Sequence, residues 1–420
     1  MSQPATHAPR AKTPIQWRFP IAAIVMALAS VVFAYLAEGE SVFSMRGASA
    51  RFTLPDWHID ADTVTWLFAI AALVFAGLAT YLAVQRKGRV GLMMGLTGVA
   101  FVLAFLVWVV AGQEGATMPV VQLLQGSVAF AVPLILGALS GVVCERSGTI
   151  NIAIEGQLLA GAFLGALVAS LSSSPVLGML LAPLAGVLVS LLLGLFTIKY
   201  RVDHIIVGVV LNMLVLGLTS FLYSSWLSED PARLNRAVQL GRLPIPLLSD
   251  IPVIGPVFFN QSILVYAMYV IVVGLQIMLF RSRWGLRLRA CGEHPKAADT
   301  VGIKVNRTRW RAVMLGGALA GLGGAFFSIG LGLAFTKNMA AGNGFIALAA
   351  MILGKWNPKG AVAAAAIFGF ATNLGFVMQG VNNTIPYEFL LMIPYLVTIL
   401  AVAGFVGAVR PPAMEGKPYP

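Results

Sequence analysis

Residues 144–166 read CERSGTINIAIEGQLLAGAFLGA. A polar run from Glu145 to Asn151 passes straight into an apolar stretch that still carries Glu155 and Gln157. From Ile152 to Leu171 the stretch has the length a helix needs to cross a hydrocarbon core, roughly 20 residues. Glu155 is the only carboxylate well inside an apolar segment of the chain. An ionisable group there costs at least a few kcal/mol unless it faces a bundle interior or a wet cavity. Two roles are open to it. It can cap a helix terminus or pair with Arg146, or it can line a polar path together with Asn151 and Gln157. A helix starting after Asn151 also points backbone N–H groups and a positive dipole end into the same place.

The rest of the chain has the same character. Of its 420 residues 59% are hydrophobic and only 10% charged. A soluble domain of this size needs about a quarter of its residues charged, so the composition indicates an all-α, polytopic transmembrane helix bundle. Forty-four glycines fit that class, because helices in lipid pack through small residues. Eleven segments have spanning length: 20–37, 63–84, 90–111, 120–143, 152–171, 176–198, 205–226, 262–280, 312–333, 360–380 and 387–409. A twelfth, 344–354, is apolar but short, as a re-entrant or broken helix would be, and such a piece is tolerated only inside protein or beside a cavity.

Lys and Arg in the loops set the orientation. With the N-terminus cytoplasmic and twelve crossings, the inner pieces are 1–19, 85–89, 144–151, 199–204, 281–311, 355–359 and 410–420. They hold 22 of the 28 basic residues. Both termini are therefore expected on the cytoplasmic side, and the net charge of +12 needs no nucleic acid to explain it. Arg10, Lys12 and Arg18 ahead of the first segment also resemble a signal peptide. The near-spanning length of that segment and the charge bias favour a retained anchor. Cys144 and Cys291 both fall in pieces assigned to the cytoplasmic side, so no disulfide is expected, and neither has a second metal ligand nearby.

The chain divides into an extension of three spans (1–115), a core (116–409) that carries the polar features, and a cytoplasmic tail (410–420). Within the core, Gly208 and Asn212 share one helical face, and Asn212 either lines the path or makes a helix–helix hydrogen bond. Asn373 and Gln379 are weaker candidates of the same kind. Gly317, Gly321 and Gly324 form a smooth stripe for close packing or for sliding. The outer loop 227–261, with five prolines, is long enough to meet a substrate-binding protein. Residues 281–311 carry nine basic residues. There Gly292, Pro295, Ala297, Ala298 and Gly302 describe a short helix over 295–301, started by proline and bracketed by glycines.

The run Glu145, Arg146, Gly148, Asn151, Ile152, Glu155, Gly156, Gln157 resembles the integral-membrane permeases of the branched-chain amino acid, simple-sugar and nucleoside uptake branch of ABC transporters. The nearest likeness is to the nucleoside systems that depend on a basic membrane lipoprotein, and it covers about 116–409. The order Glu-Arg ahead of the glycine looks more like one of the two paired permease types than the other. The resemblance implies a pore subunit of the bacterial cytoplasmic (inner) membrane, with a substrate pathway near Asn151, Glu155, Gln157, Asn212 and Asn373. It also implies ATPase coupling through Gly292, Glu293, Ala297, Ala298 and Gly302. Family members carry Glu before the two alanines, where this chain has Lys296, so that motif is partial. The implied partners are an ABC ATPase, a second permease subunit (a different chain or a second copy), an extracytoplasmic binding lipoprotein or periplasmic protein, and membrane lipid. The chain itself has no G-x-x-x-x-G-K-[ST] phosphate loop: Gly354-Lys355 is followed by Trp356. It is therefore expected to be no enzyme and to bind no cofactor, with ATP used on a separate subunit.

Two other classes compete. An ion-gradient-driven secondary transporter commonly uses intramembrane carboxylates, and here only Glu155 is available. A membrane enzyme would need a constellation, yet His7, His58, His204 and His294 are dispersed and no nucleophile–base or metal-ligand spacing occurs.

Overall fold

The computed structural model describes residues 17–47, 54–113, 115–332, 334–381, 388–389, 392, 395–397 and 410–420. The expected first cytoplasmic piece and the span 387–409 lie largely outside the described residues. Among the described residues, ten helices are long and apolar enough to cross a membrane, and an eleventh apolar helix is shorter.

The chain forms two compact units. In the first, α1 (Arg18–Leu36), α2 (Ala61–Val84) and α3 (Val90–Val110) pack through alanines, with Ala23, Ala27, Ala72, Ala76 and Ala79 buried among them. Between α1 and α2, strands β1 (Glu40–Ser44) and β2 (Trp57–Asp60) pair antiparallel, Glu40 opposite Asp60. The Asp60 carboxylate accepts the Thr63 N–H at 3.0 Å and so caps α2. Strand β3 (Thr117–Pro119) leads out of α3.

The second unit holds the remaining helices. They are α4 (Val120–Arg146), α5 (Ile154–Ser172), α6 (Pro175–Gly194, extended by a π turn to Lys199) and α7 (His204–Leu222, with a π turn to Leu227). The outer loop carries α8 (Pro231–Leu234) and two short antiparallel strands, β4 (Arg242–Pro244) and β5 (Asn260–Ser262). There follow α9 (Ile263–Arg281), α10 (Arg283–Glu293), α11 (Pro295–Thr300) and α12 (Val305–Ala325, with a π turn to Leu331). The unit closes with α13 (Asn343–Leu353) and α14 (Pro358–Val381).

Helix α4 is the axis of this unit: 83% of its apolar stretch is buried, against 28% for α7 and α9. The outer helices show lipid what a soluble protein would hide; Ile206, Val210, Met213 and Phe221 of α7 are all exposed. Glycine lets the interior helices touch backbone to backbone. A Cβ on Gly186 of α6 would collide with the Gly317 carbonyl of α12, and one on Gly324 would collide with the Leu158 carbonyl of α5. The stripe Gly317–Gly321–Gly324 is thus a packing surface for two neighbouring helices, the small-residue contact that replaces the hydrophobic drive absent in lipid.

Candidate functional site

The link from α4 to α5 does not stay at the end of the bundle. Side-chain atoms of Ile154 lie against both Gly137 and Gly141 of α4, where added Cβ atoms would meet them at 3.2 and 3.4 Å. Those glycines precede the end of α4 by five to nine residues, so α5 begins about 8–14 Å inside the bundle at 1.5 Å per residue. Helix α13 runs parallel to the same part of α4, meeting it at every fourth residue of α4. Ala347 sits on Gly137, Met351 on Gly141, and Trp356, just beyond α13, on Glu145. The first residue of α13 consequently lies near mid-depth. This is the short segment expected to be broken or re-entrant, and its 11 residues are too few to cross.

The N-termini of α5 and α13 meet there. Glu155 Oε1 accepts the Gly342 N–H at 2.7 Å and Oε2 accepts the Gly344 N–H at 2.6 Å. A carboxylate in this position satisfies two donors that no helix can satisfy internally and meets the positive end of the α13 dipole. The close approach demands glycine at 344, where a Cβ would stand 2.5 Å from the Cα of Glu155. Asn212 of α7 performs the matching task for α5: its Oδ1 accepts the Gly156 N–H at 2.8 Å, and its Nδ2 donates to the Ile152 carbonyl at 2.9 Å. Gly208, one turn earlier, leaves room for Ile152, so the shared face read from the sequence is the face that grips the start of α5.

Asn151 and Gln157 belong to a buried polar chain. Asn151 Nδ2 donates to Ser140 Oγ and to Gln157 Oε1, both at 3.0 Å, and Gln157 Nε2 donates to Asn151 Oδ1 at 3.2 Å and to Ser190 Oγ at 2.9 Å. All four residues are 0% exposed, so in this conformation they hold α4, α5 and α6 together rather than face a channel. Asn373 stands apart. Its Nδ2 donates to the Leu123 carbonyl of α4 at 2.7 Å, about 25 Å along that helix from Ser140. Gln379 donates to Gly375 within its own helix.

The Glu-Arg pair at the end of α4 holds the turn between α13 and α14. Glu145 Oε2 accepts from the Trp356 indole N–H, while Arg146 donates to the Trp356 carbonyl at 2.9 Å and to that of Lys355 at 3.5 Å. Arg146 is therefore bound elsewhere and does not pair with Glu155. Gly148 has φ +97°, and a Cβ on it would lie 2.7 Å from Arg309 Nη2. The guanidinium of Arg309, 2% exposed, donates to the Ser147 carbonyl at 3.2 Å. Nothing in the sequence separates Arg309 from the eight other basic residues of 281–311. Gly342 and Gly344, flanking Asn343 just ahead of a short apolar run, were a readable helix start, and the sequence reading missed them as partners of Glu155.

Residues 123–402 match the family model described as the branched-chain amino acid transport system permease component. The chain belongs to that family. Among known proteins, it is 40% identical over 319 residues to the guanosine ABC transporter permease protein NupQ of Bacillus subtilis, covering 72% of this chain and 98% of NupQ. It is 41% identical over 317 residues to the nucleoside ABC transporter permease protein NupC of Lactococcus lactis, covering 72% of this chain and 99% of NupC. A putative glucose ABC transporter permease protein of Haloferax volcanii, TsgC13, is 30% identical over 264 residues, covering 62% of this chain and 78% of TsgC13. No solved structure matches. The permease is a multi-pass protein of the bacterial inner membrane and a subunit of an ABC importer.

At one end of the permease, five of the basic pieces come together. Residues 146–150 bond to Lys355 and Trp356, to His204 through the Ile150 N–H (3.1 Å), to Arg309, and to Gly416 of the tail. The short helix read over 295–301 is α11, Pro295–Thr300, and it follows a longer amphipathic helix, α10, that the sequence reading left as loop. Of the coupling candidates, Ala297 and Gly302 are exposed, while Glu293 is exposed and accepts the Ala413 N–H at 3.3 Å. Gly292 is buried against the Arg146 carbonyl. Ala298 is 3% exposed and packs with Cys291 and Val305 of its own chain, so it is not on the surface offered to a partner. Cys144 and Cys291 are free thiols, both buried, and burial pushes the Cys291 thiol above its ordinary value.

Proposed function

We propose that the permease carries nucleosides inward, with the basic end of the second unit cytoplasmic and α10–α11 receiving a separate ATPase subunit. The observation that carries the substrate class is the 40–41% identity along nearly the whole of two permeases named for guanosine and nucleosides. The likeness to a sugar permease is weaker and shorter. A second permease subunit would complete the pore, and an extracytoplasmic binding lipoprotein would deliver solute to the loop 227–261. The chain itself would hydrolyse nothing.

The Glu155 junction suits a gate. A half-length helix held at mid-depth by a carboxylate can tilt without breaking a full-span ladder, and the solute would pass beside that junction. Asn151, Gln157 and Asn212 would hold the start of α5 in place, and Asn373 would fix α14 to α4 near the opposite end. ATP binding would act on α10–α11 and favour one of two pore conformations through contacts present in one and absent in the other.

Reconstitution with an ABC ATPase and a binding protein from the same organism tests the reading. Uptake of radiolabelled guanosine is expected to need ATP and to survive collapse of the proton gradient. Uptake that ignores ATP and stops with the gradient would instead make this a secondary transporter.

A further inference from the structure

We infer that residues 412–419 are a coupling strap: they tie α10 and α11 to the Ser147–Ile150 connection, so that a pull on the docking helices reaches the start of α5. The inference rests on the importer reading above. It concerns a segment beyond residue 402, where the family match ends.

The tail is bonded on two sides. Toward the helices, the Met414 N–H donates to the Gly292 carbonyl at 2.9 Å, the Ala413 N–H to Glu293 Oε2 at 3.3 Å, and the Tyr419 hydroxyl to Asp299 Oδ2 at 2.9 Å. The Tyr419 ring packs on the small cluster of Cys291, Ala298 and Val305 beneath α11. Toward the pore segment, the Gly416 N–H donates to the Gly148 carbonyl at 3.1 Å. Arg309 then closes the loop, with Nη1 on the Lys417 carbonyl at 2.9 Å and Nε on the Ser147 carbonyl at 3.2 Å.

The direct contact between the two sides is of another kind. Gly292 abuts the Arg146 carbonyl, a contact that resists compression, and Glu293 adds a charge attraction to the Arg146 guanidinium. The hydrogen bonds at both ends of the tail add directional links that hold under tension. From Ser147 the path to the gate is seven residues of chain to Ile154 and Glu155. Within it Asn151 is anchored on Ser140 and Ile152 on Asn212. Arg309, Gly416 and Tyr419 are therefore positioning residues: they touch no solute and act through the connection they hold.

The test is a chain ending at Arg410, assembled with its ATPase and reconstituted beside the full-length complex. A second sample carries a protease site inserted after Arg410, is cut after assembly, and is washed free of the tail peptide. The second sample makes the outcome independent of folding during synthesis. Association with the ATPase and KM for ATP are expected to stay as in the full-length complex. Solute moved per ATP hydrolysed should fall about tenfold, within the usual range of coupling between sites. An unchanged ratio overturns the strap. Loss of ATPase association in both samples also overturns it, because the tail would then be docking surface. A full-length chain that brings down no ATPase would instead overturn the importer reading itself.

Discussion

Glu155 and Gly344 are joined twice over: the Gly344 N–H lies 2.6 Å from Glu155 Oε2, and the two backbones are too close for any side chain at 344. An intramembrane carboxylate here serves as the cap of a neighbouring helix, and its charge is matched by backbone dipoles rather than by a cation.

Glu155→Gln keeps the shape and loses the match. One amide oxygen can still accept, while the NH2 group now faces an N–H donor. The expected cost is about 1–2 kcal/mol of stability, from one lost charge-assisted bond and the lost dipole interaction. Uptake should fall while ATPase association survives. Adding Arg146→Gln should worsen the melting temperature, since Arg146 is engaged with the 355–356 carbonyls. Restoration by the double variant would mean that the two side chains pair after all.

Gly148→Ala forces a side chain into left-handed backbone and against Arg309. The expected loss is about 1–3 kcal/mol, read as a lower melting temperature of the detergent-solubilised permease. An unchanged melting temperature would show that Arg309 yields freely there.

Ala297 and Ala298 are adjacent and should behave oppositely. Ala298→Asp buries a carboxylate beside Cys291 and Val305, at a cost of about 2–4 kcal/mol, so expression and melting temperature should drop. Ala297→Asp leaves the fold intact and weakens ATPase association if α11 is the docking helix. Co-purification at wild-type yield in Ala297→Asp would remove that assignment.

Orientation can be read by thiol labelling. Both native cysteines are buried, so their background is low. Lys296→Cys should label only from the cytoplasmic side. Leu247→Cys, at a position 85% exposed on the outer loop, should label only from outside. The reverse pattern inverts the topology.

Burial raises the Glu415 carboxyl above the ordinary carboxylate range, and its hydrogen bond with Glu145 of α4 pulls it back part of the way. In the docked tail the group keeps a proton that a free tail releases near the usual value of about 4.3. Between that value and the raised one the docked form binds more protons, so docking weakens as pH rises through this window and is strongest below it. Protease cleavage of the tail should accelerate with pH across that range, and Glu415→Gln should flatten the dependence. Equal protection at every pH in the native chain would argue against it.

Much of the architecture was readable because lipid simplifies the code. Segment length and the position of Glu155 each report a single large energy. The short piece 344–354 could be recognised as non-spanning from its length alone. Its partner could not, because a backbone N–H carries no sequence label. Arg146 looked like the natural counter-charge nine residues from Glu155. Yet the connection folds back beside α4, and sequence proximity became separation along the membrane normal. Ala298 misled for a related reason: small residues serve equally to receive a partner and to pack on their own chain, and composition does not distinguish the two.

The closed polar chain Ser140–Asn151–Gln157–Ser190 bears on how the protein is made. Leaving the ribosome, the stretch that becomes α5 carries Gln157 without Ser190 and Glu155 without either of its two donors. A carboxylate in the first turn of a lone apolar helix, with no donor to meet it, raises the cost of inserting that helix. Helix α5 is thus a poor passenger on its own. It enters lipid in company, with α4 already beside it and α6 following closely, and Glu155 waits for its two donors until nearly 190 further residues have been synthesised.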